Sequence, residues 1–221
     1  MLSLLLLLPV AFALPGTYVN NTGRVASCPC ATSDRCLKTA LMSMNSCMES
    51  CGDKLSAFGP NTASYISCFE KYPEIVSESE TCIFDFANRC ASSEGQFVDE
   101  TKMRDYLIEY SPHPDDIASR ISYWMDKPKQ AYTNFQNFYF CTQNCLNTKV
   151  QACAKQNGCF LRLTDGANYR AAISECRRQY NYKVPMSLLQ TCNCLGIDKN
   201  LKDLLPHCGT MGTHFFMEHM N

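Results

Sequence analysis

The apolar positions of this chain recur at helical spacing. Between residues 34 and 58 they fall three, four or seven positions apart, at Leu37, Leu41, Met44, Met48 and Leu55. Such steps place side chains on one face of an α-helix, with Asp34 as the capping residue and Gly59-Pro60 as the end. Runs that alternate apolar and polar residues, as β-strands require, are not evident. The pattern therefore predicts an all-α fold.

The same spacing, with polar capping residues and prolines at the boundaries, predicts further helices. We expect them over residues 61–72, 75–90, 99–110, from 114 onward, and over 128–156, 165–180, 185–195 and 198–205. The longest of these helices is rich in aromatic residues, namely Tyr132, Phe135, Phe138, Tyr139 and Phe140. An aromatic stripe at helical spacing is more typical of a core-facing surface than of a ligand site, so we expect it to be buried.

The N-terminus has the pattern of a secretory signal peptide. An apolar run through Leu14 contains the small-x-small motif Ala11-Phe12-Ala13, so residues 1–13 are predicted to be cleaved. The run is too short to cross a bilayer, and it lacks the polar face of a soluble core helix. A polar segment over 14–27 follows, and Asn20-Asn21-Thr22 makes Asn20 a predicted glycosylation site. The protein is thus predicted to be a secreted, extracellular glycoprotein.

Cysteine usage points to the same compartment. The chain has sixteen cysteines, an even number that permits complete pairing, and disulfides persist mainly outside the cytosol. We predict that all of them form disulfides: Cys28, Cys30, Cys36, Cys47, Cys51, Cys68, Cys82, Cys90, Cys141, Cys145, Cys153, Cys159, Cys176, Cys192, Cys194 and Cys208. Two pairs are spaced i, i+4 on predicted helices, and such cysteines do not bond each other easily. Each should reach a neighbouring helix, so that one helix is stapled twice.

The cysteines fall into two sets of eight, which suggests the domain organisation. We predict a first cysteine-rich helical unit over 28–95, a cysteine-free helical middle over 96–140, a second unit over 141–208 and a tail over 209–221. Two self-contained stapled units would keep their bonds within residues 28–90 and within 141–208. The spacings of the two sets match only in part, so an internal repeat stays open.

The residues that commonly carry chemistry do not form a recognisable site. The four histidines, His113, His207, His214 and His219, lie outside any nucleophile or zinc-protease motif. Cys28-x-Cys30 and Cys192-x-Cys194 lack the spacing of a structural zinc site, and a metal site at the C-terminal histidines is a weaker hypothesis than a mobile tail. We therefore expect no enzyme activity, no cofactor and no metal.

Charge is nearly balanced overall but unevenly distributed. The net charge of −1 gives no reason to expect nucleic acid as a partner, and no segment is long and apolar enough to span a membrane. Residues 61–118 hold twelve Asp and Glu against four Lys and Arg, whereas residues 141–183 hold seven Lys and Arg against two Asp and Glu. Two solvated faces explain this distribution most simply. The alternative is that the basic 141–183 region attracts an anionic glycan such as a glycosaminoglycan.

The spacing of the first cysteine set resembles a known family. Cys47-x3-Cys51-x16-Cys68-x13-Cys82-x7-Cys90 on short helices after a signal peptide is similar to the nematode secreted cysteine-rich domain of the chondroitin proteoglycan 4 type. That resemblance covers residues 28–95, with a second copy over 141–208 as an open alternative, and it implies a small secreted module, sometimes of the extracellular matrix. Chondroitin chains attach at Ser-Gly, and no serine here precedes a glycine, so the chain is not expected to be a proteoglycan core.

The second cysteine set resembles another family. Val184-Pro185, followed by Cys192-x-Cys194 and Cys208, looks like the helical cysteine-rich domains of the GDNF-family receptors, although a cysteine usual in those domains is missing. Two hypotheses follow for the function. The first is a matrix-associated or structural interaction protein that binds an extracellular protein or glycan, and the alternative is a ligand-binding or signalling-modulator module.

Overall fold

A computed structural model describes residues 25–73, 81–82, 90–91, 97–98, 126–161, 175–176 and 183–209. These residues are mostly helical, and disulfides join the helices, so the prediction of a disulfide-rich all-α fold is confirmed. The helices are α1 (Cys30–Leu41), α2 (Met44–Ser50), α3 (Thr62–Glu70), α4 (Asp126–Gln156) and α5 (Lys183–Ile197), with 3-10 helices at Gly52–Phe58 and Lys202–Leu204. Among these ranges, no helix is long and apolar enough to cross a membrane.

The helix predicted over 34–58 is divided into three elements, α1, α2 and the first 3-10 helix. It also begins earlier than predicted, at Cys30, because Pro29 is extended and its carbonyl accepts the amides of Thr32 and Ser33. At the other end of α1, the amide of Ser43 bonds to the carbonyl of Ala40, three residues back. Bonds of that spacing tighten a final turn, which ends α1 before α2 begins.

The boundary of α3 follows the predicted capping chemistry. Asn61 is the N-cap, and its side-chain oxygen accepts a hydrogen bond from the Ser64 amide at 3.3 Å. The preceding residues are fixed by Gly59, whose φ of 134° is unfavourable for residues with a Cβ. A Cβ at Gly59 would also lie 2.6 Å from the Tyr65 hydroxyl, which donates to the Phe58 carbonyl. The turn before α3 is therefore specified by both backbone conformation and space.

Replacing Asn61 with alanine should lower the free energy of unfolding by about 1 kcal/mol, because one amide at the start of α3 loses its acceptor. Asn61→Ser keeps a side-chain acceptor and should lose much less. Urea unfolding under non-reducing conditions, followed by circular dichroism, measures both variants. Equal stability of the alanine and serine variants would contradict a capping role.

The two longest helices lie where the hydrophobic pattern places them. Helix α4 covers the predicted 128–156, and α5 extends the predicted 185–195 by two residues at each end. The predicted last helix is wrong at its start, since Asp198 does not cap it. The Asp198 amide bonds to the carbonyl of Cys194, and Asn200 has a φ of 60°, so residues 198–200 complete the C-terminal cap of α5. The next helical residues are the 3-10 helix Lys202–Leu204 and 205–209.

The buried side chains form two clusters on either side of Leu41, which packs against both. The larger cluster joins α2, α3, the N-terminal half of α4, and α5 around Phe69 and Phe138, whose ring centroids are 4.5 Å apart. The smaller one joins α1 to the C-terminal half of α4 and includes Leu37 and Val150. Within the predicted aromatic stripe, Phe135 and Phe138 are buried, as expected, and Tyr139 is partly buried.

A small antiparallel pair of strands was not predicted. Strand β1 (Val25–Ala26) pairs with β2 (Phe97–Val98), and isolated bridges join Ser27 to Phe160 and Pro29 to Ala91. Pairing over two residues leaves no alternating pattern in the sequence, because it depends on which chain segments the helices bring together.

Several predictions concern parts of the chain outside the described residues. They include the signal peptide, the Asn20 sequon, the helices over 99–110 and from 114 onward, and most of the tail over 209–221. Within the helices predicted over 75–90 and 165–180, the described residues are 81–82, 90 and 175–176. Residues 81–82 and 175–176 are helical, whereas Cys90 is in a bend, so the helix predicted to reach residue 90 is wrong at its end. The side chains of Tyr132 and Phe140 are also outside this description.

Candidate functional site

Four disulfides form a ladder between the N-terminal segment and α4. As the residue number rises along one side of the ladder, it falls along the other, so the two segments run antiparallel. The Cα–Cα distances of the rungs lie between 4.8 and 5.8 Å, and the rungs are Cys28–Cys159, Cys36–Cys153, Cys47–Cys145 and Cys51–Cys141. The ladder holds α1 and α2 along the C-terminal half of α4.

The last two rungs, Cys47–Cys145 and Cys51–Cys141, confirm the prediction made from the i, i+4 cysteines. Cys47 and Cys51 project from one face of the N-terminal segment, and each bonds to a cysteine of α4 and not to the other. In α4 the bonded cysteines are also four residues apart, so the two pairs meet face to face. One helix is therefore stapled twice to its neighbour, which restricts rotation and sliding of the two segments against each other.

The prediction that bonds stay within each cysteine set is wrong. Six of the eight disulfides join a cysteine of the first set to one of the second: the four rungs, Cys68–Cys194 and Cys82–Cys176. Cys30–Cys90 and Cys192–Cys208 are the two bonds that stay within a set. All sixteen cysteines are paired, as predicted. The two cysteine-rich segments are stapled to each other because α4 packs antiparallel against α1 and α2.

A row of exposed side chains follows the outer face of α1. Arg35, Lys38 and Met42 are spaced three and four residues apart and are all exposed, with Met42 at 81% of its full surface. Lys149 of α4 is exposed as well. It is four residues from both Cys145 and Cys153, so it lies across the ladder from the turn between α1 and α2. We call these four residues the basic stripe.

Hydrogen bonds and local charge shape one end of the basic stripe. Arg35 Nη2 donates to Asn157 Oδ1 at 2.6 Å, and Asn157 Nδ2 donates to the carbonyl of Cys153 at 2.8 Å. The guanidinium is thereby held against the end of α4. Helix α4 carries no acidic residue after Asp126, and Asp34 is the single acidic residue of α1. The acidic residues of α1 and α4 therefore offset little of the positive charge of the stripe.

Two exposed lysines elsewhere on the described surface have an acidic neighbour. Lys54 Nζ donates to Asp53 Oδ2 at 2.7 Å, and this hydrogen bond lowers the pKa of the Asp53 carboxyl. Lys71 Nζ lies 4.0 Å from Asp198 Oδ2 and 5.6 Å from the centroid of the Tyr72 ring. These exposed pairs contribute little to stability, but they partly neutralise their surroundings.

The basic region predicted over 141–183 contributes only in part. Lys149 belongs to the stripe, whereas Lys155 Nζ sits 5.7 Å from the centroid of the Phe160 ring. Arg162, Arg170, Arg177 and Arg178 are outside the described residues, as is the side chain of Lys183. Sequence reasoning missed Arg35 and Lys38, which are more than a hundred residues from Lys149. The signal available was their i, i+3 spacing on a helix with a single acidic residue.

Neither a metal-ligand cluster nor a free thiol marks a site among the described residues. In the ranges that the structure describes, no group of three or more His, Cys, Asp or Glu side chains is placed to hold a metal ion. Since all cysteines are paired, none can act as a thiol nucleophile. His207 is half-buried, and the other three histidines are outside the description. The basic stripe is therefore the candidate site.

Comparison of the chain with protein-family models, with curated proteins and with solved structures found no match.

Proposed function

We propose that this protein is a secreted interaction protein of the extracellular matrix, without catalytic activity, that binds an anionic glycan through the basic stripe. The observation that carries the proposal is the set of three exposed cations, Arg35, Lys38 and Lys149, which two helices present and disulfides hold in place. Pre-positioned cations lose little conformational freedom when they bind a partner, which favours association.

The disulfides support the extracellular part of this proposal. Eight bonds among the described residues stabilise a chain of 221 residues, a density typical of proteins outside the cytosol. Sulfated glycans are polyanions of that environment, and the resemblance to the chondroitin proteoglycan domain points to the same setting. Contacts between exposed charges are screened by salt over about 8 to 10 Å, so binding should be salt-dependent.

A charge-removal experiment tests the stripe. The stripe variant carries three substitutions, Arg35→Ala, Lys38→Ala and Lys149→Ala. It should bind immobilised heparin or chondroitin sulfate about 10- to 100-fold more weakly than the unmodified protein, because each exposed ion pair contributes up to about 1 kcal/mol. The control chain carries Lys54→Ala, Lys71→Ala and Lys202→Ala, three exposed lysines elsewhere on the described surface. It has the same net charge as the stripe variant.

The salt concentration of elution, measured for both variants and the unmodified protein, gives the answer. We expect the unmodified protein and the control to elute together at moderate salt, and the stripe variant well before them. Elution of the two variants at the same salt concentration would show that binding depends on net charge alone. It would overturn the proposal that the basic stripe is the glycan-binding site. Hydrolysis of generic substrates that survives thiol reagents would overturn the proposed lack of catalysis.

A second candidate function is binding to one protein ligand, as in a signalling modulator. Met186 and Ile197 on α5 are 46% and 66% exposed, and they are eleven residues apart, which places them on the same helix face. Apolar contacts are not weakened by salt as charge pairs are. Saturable binding to a single protein that is insensitive to salt would favour this candidate over the first.

A further inference from the structure

The Cys30–Cys90 disulfide differs from the other seven in its exposure. Both of its cysteines are only partly buried, whereas each other bond has at least one buried cysteine. Cys28, two residues away, is 0% exposed in its bond to Cys159. Thiol–disulfide exchange requires a thiolate to reach a sulfur atom, so access separates this bond from its neighbours.

We propose that Cys30–Cys90 is an exchange site for thiols, such as glutathione or the dithiol of an oxidoreductase, in a protein whose other disulfides stay closed. In the first step the incoming thiolate attacks Cys90 Sγ and forms a mixed disulfide, while Cys30 leaves as a thiolate. In the second step another thiolate attacks that mixed disulfide and leaves Cys90 as a thiol. The two incoming thiols are oxidised to one disulfide, and two electrons reduce the protein bond.

The surroundings of Cys30 indicate which sulfur leaves. Cys30 is the first residue of the twelve-residue helix α1, where the positive end of the helix dipole stabilises a thiolate. Its Sγ also lies 3.4 Å from the carbonyl oxygen of Ala91, which obstructs one direction of approach. Because a better-stabilised thiolate leaves faster, attack at Cys90 is the preferred direction.

Opening this bond should have a local effect. The start of α1 keeps its own connection to α4, since Cys28–Cys159 and Cys36–Cys153 bracket Cys30. On the other side of the bond, Cys82 remains joined to Cys176, and Phe97–Val98 remains paired with β1. Exchange therefore breaks the covalent link at residue 90, while the Cys82–Cys176 bond before it and the β1–β2 pairing after it remain, and the core stays intact.

Kinetic labelling of the native protein tests the site. The full chain is exposed to reduced glutathione, quenched at intervals with an alkylating reagent, and mapped by mass spectrometry with fragmentation that separates Cys28 from Cys30. Since access controls the rate, Cys30 and Cys90 should become labelled about tenfold or more faster than any other pair. Circular dichroism should stay unchanged while this single bond is open.

Two results would overturn the proposal that Cys30–Cys90 is the exchange site. Either another disulfide is reduced first, or Cys30–Cys90 is reduced only together with the buried disulfides. A variant with Cys30→Ala and Cys90→Ala should lose the fast labelling phase and keep seven bonds. The matched control, Cys192→Ala with Cys208→Ala, removes a bond whose cysteines are both buried and should keep that phase. If either variant fails to fold, the order of labelling in the native protein still decides.

Discussion

Removal of the last two rungs of the ladder, Cys47–Cys145 and Cys51–Cys141, should cost far more stability than removal of either one. When Cys47–Cys145 is absent, Cys51–Cys141 still holds α2 against α4. Its two cysteines are each only four residues from the cysteines that were removed. The loop between those two rungs is very short, so the second rung restricts the unfolded chain little beyond the first. When both are absent, the next bond along this side of the ladder is Cys36–Cys153.

We expect each single-rung alanine variant to lose roughly 1 kcal/mol and the double-rung variant about 3 kcal/mol, because the loop then left open is much longer. Urea unfolding without reductant, fitted for all three variants, gives the coupling free energy between the rungs. Peptide mapping confirms that the remaining bonds are native. Additive losses would show that the rungs restrict the unfolded chain independently and that the ladder geometry is wrong.

Truncation of Phe138 should produce the largest loss from a single substitution in the core. Its side chain is 1% exposed, and its ring packs against Phe69 with the centroids 4.5 Å apart. Phe138→Ala removes this contact and leaves a cavity where α3 meets α4, which typically costs about 3 to 5 kcal/mol. Phe138→Leu keeps most of the buried volume and should lose less.

Met42→Ala is the matched control for this truncation. Met42 is 81% exposed, so its removal should change the free energy of unfolding by less than about 0.5 kcal/mol. Denaturant unfolding with the disulfides intact measures all three variants. A loss at Phe138 no greater than the loss at Met42 would contradict the placement of α4 in the larger cluster.

The hydrophobic pattern predicted the helices well wherever their boundaries depend on interactions between residues close in sequence. The cap at Asn61, the stop at Gly59-Pro60 and the long helix up to Gln156 depend on residues within one or two turns. The break between α1 and α2 was missed because the apolar stripe continues across Met42 and Ser43. Such a break depends on which neighbour each helix packs against, and the spacing of apolar residues does not contain that information.

The candidate site was only partly predictable. A basic region including Lys149 was visible in the sequence, but its companions Arg35 and Lys38 are more than a hundred residues away. The Cys36–Cys153 and Cys47–Cys145 bonds hold α1, which carries both residues, along the part of α4 that contains Lys149. Charge in one segment of the sequence is therefore a poor guide to charge on one face of this molecule.

By itself, the sequence determined the helical class, the pairing of all sixteen cysteines and the rule that i, i+4 cysteines bond to a neighbouring helix. Each of these follows from local geometry or from an even count. Only the tertiary structure decided which cysteines are partners, and there the expectation of two separate stapled units failed. A disulfide needs its Cα atoms within about 7 Å, a condition on distance in space that separation along the chain does not determine.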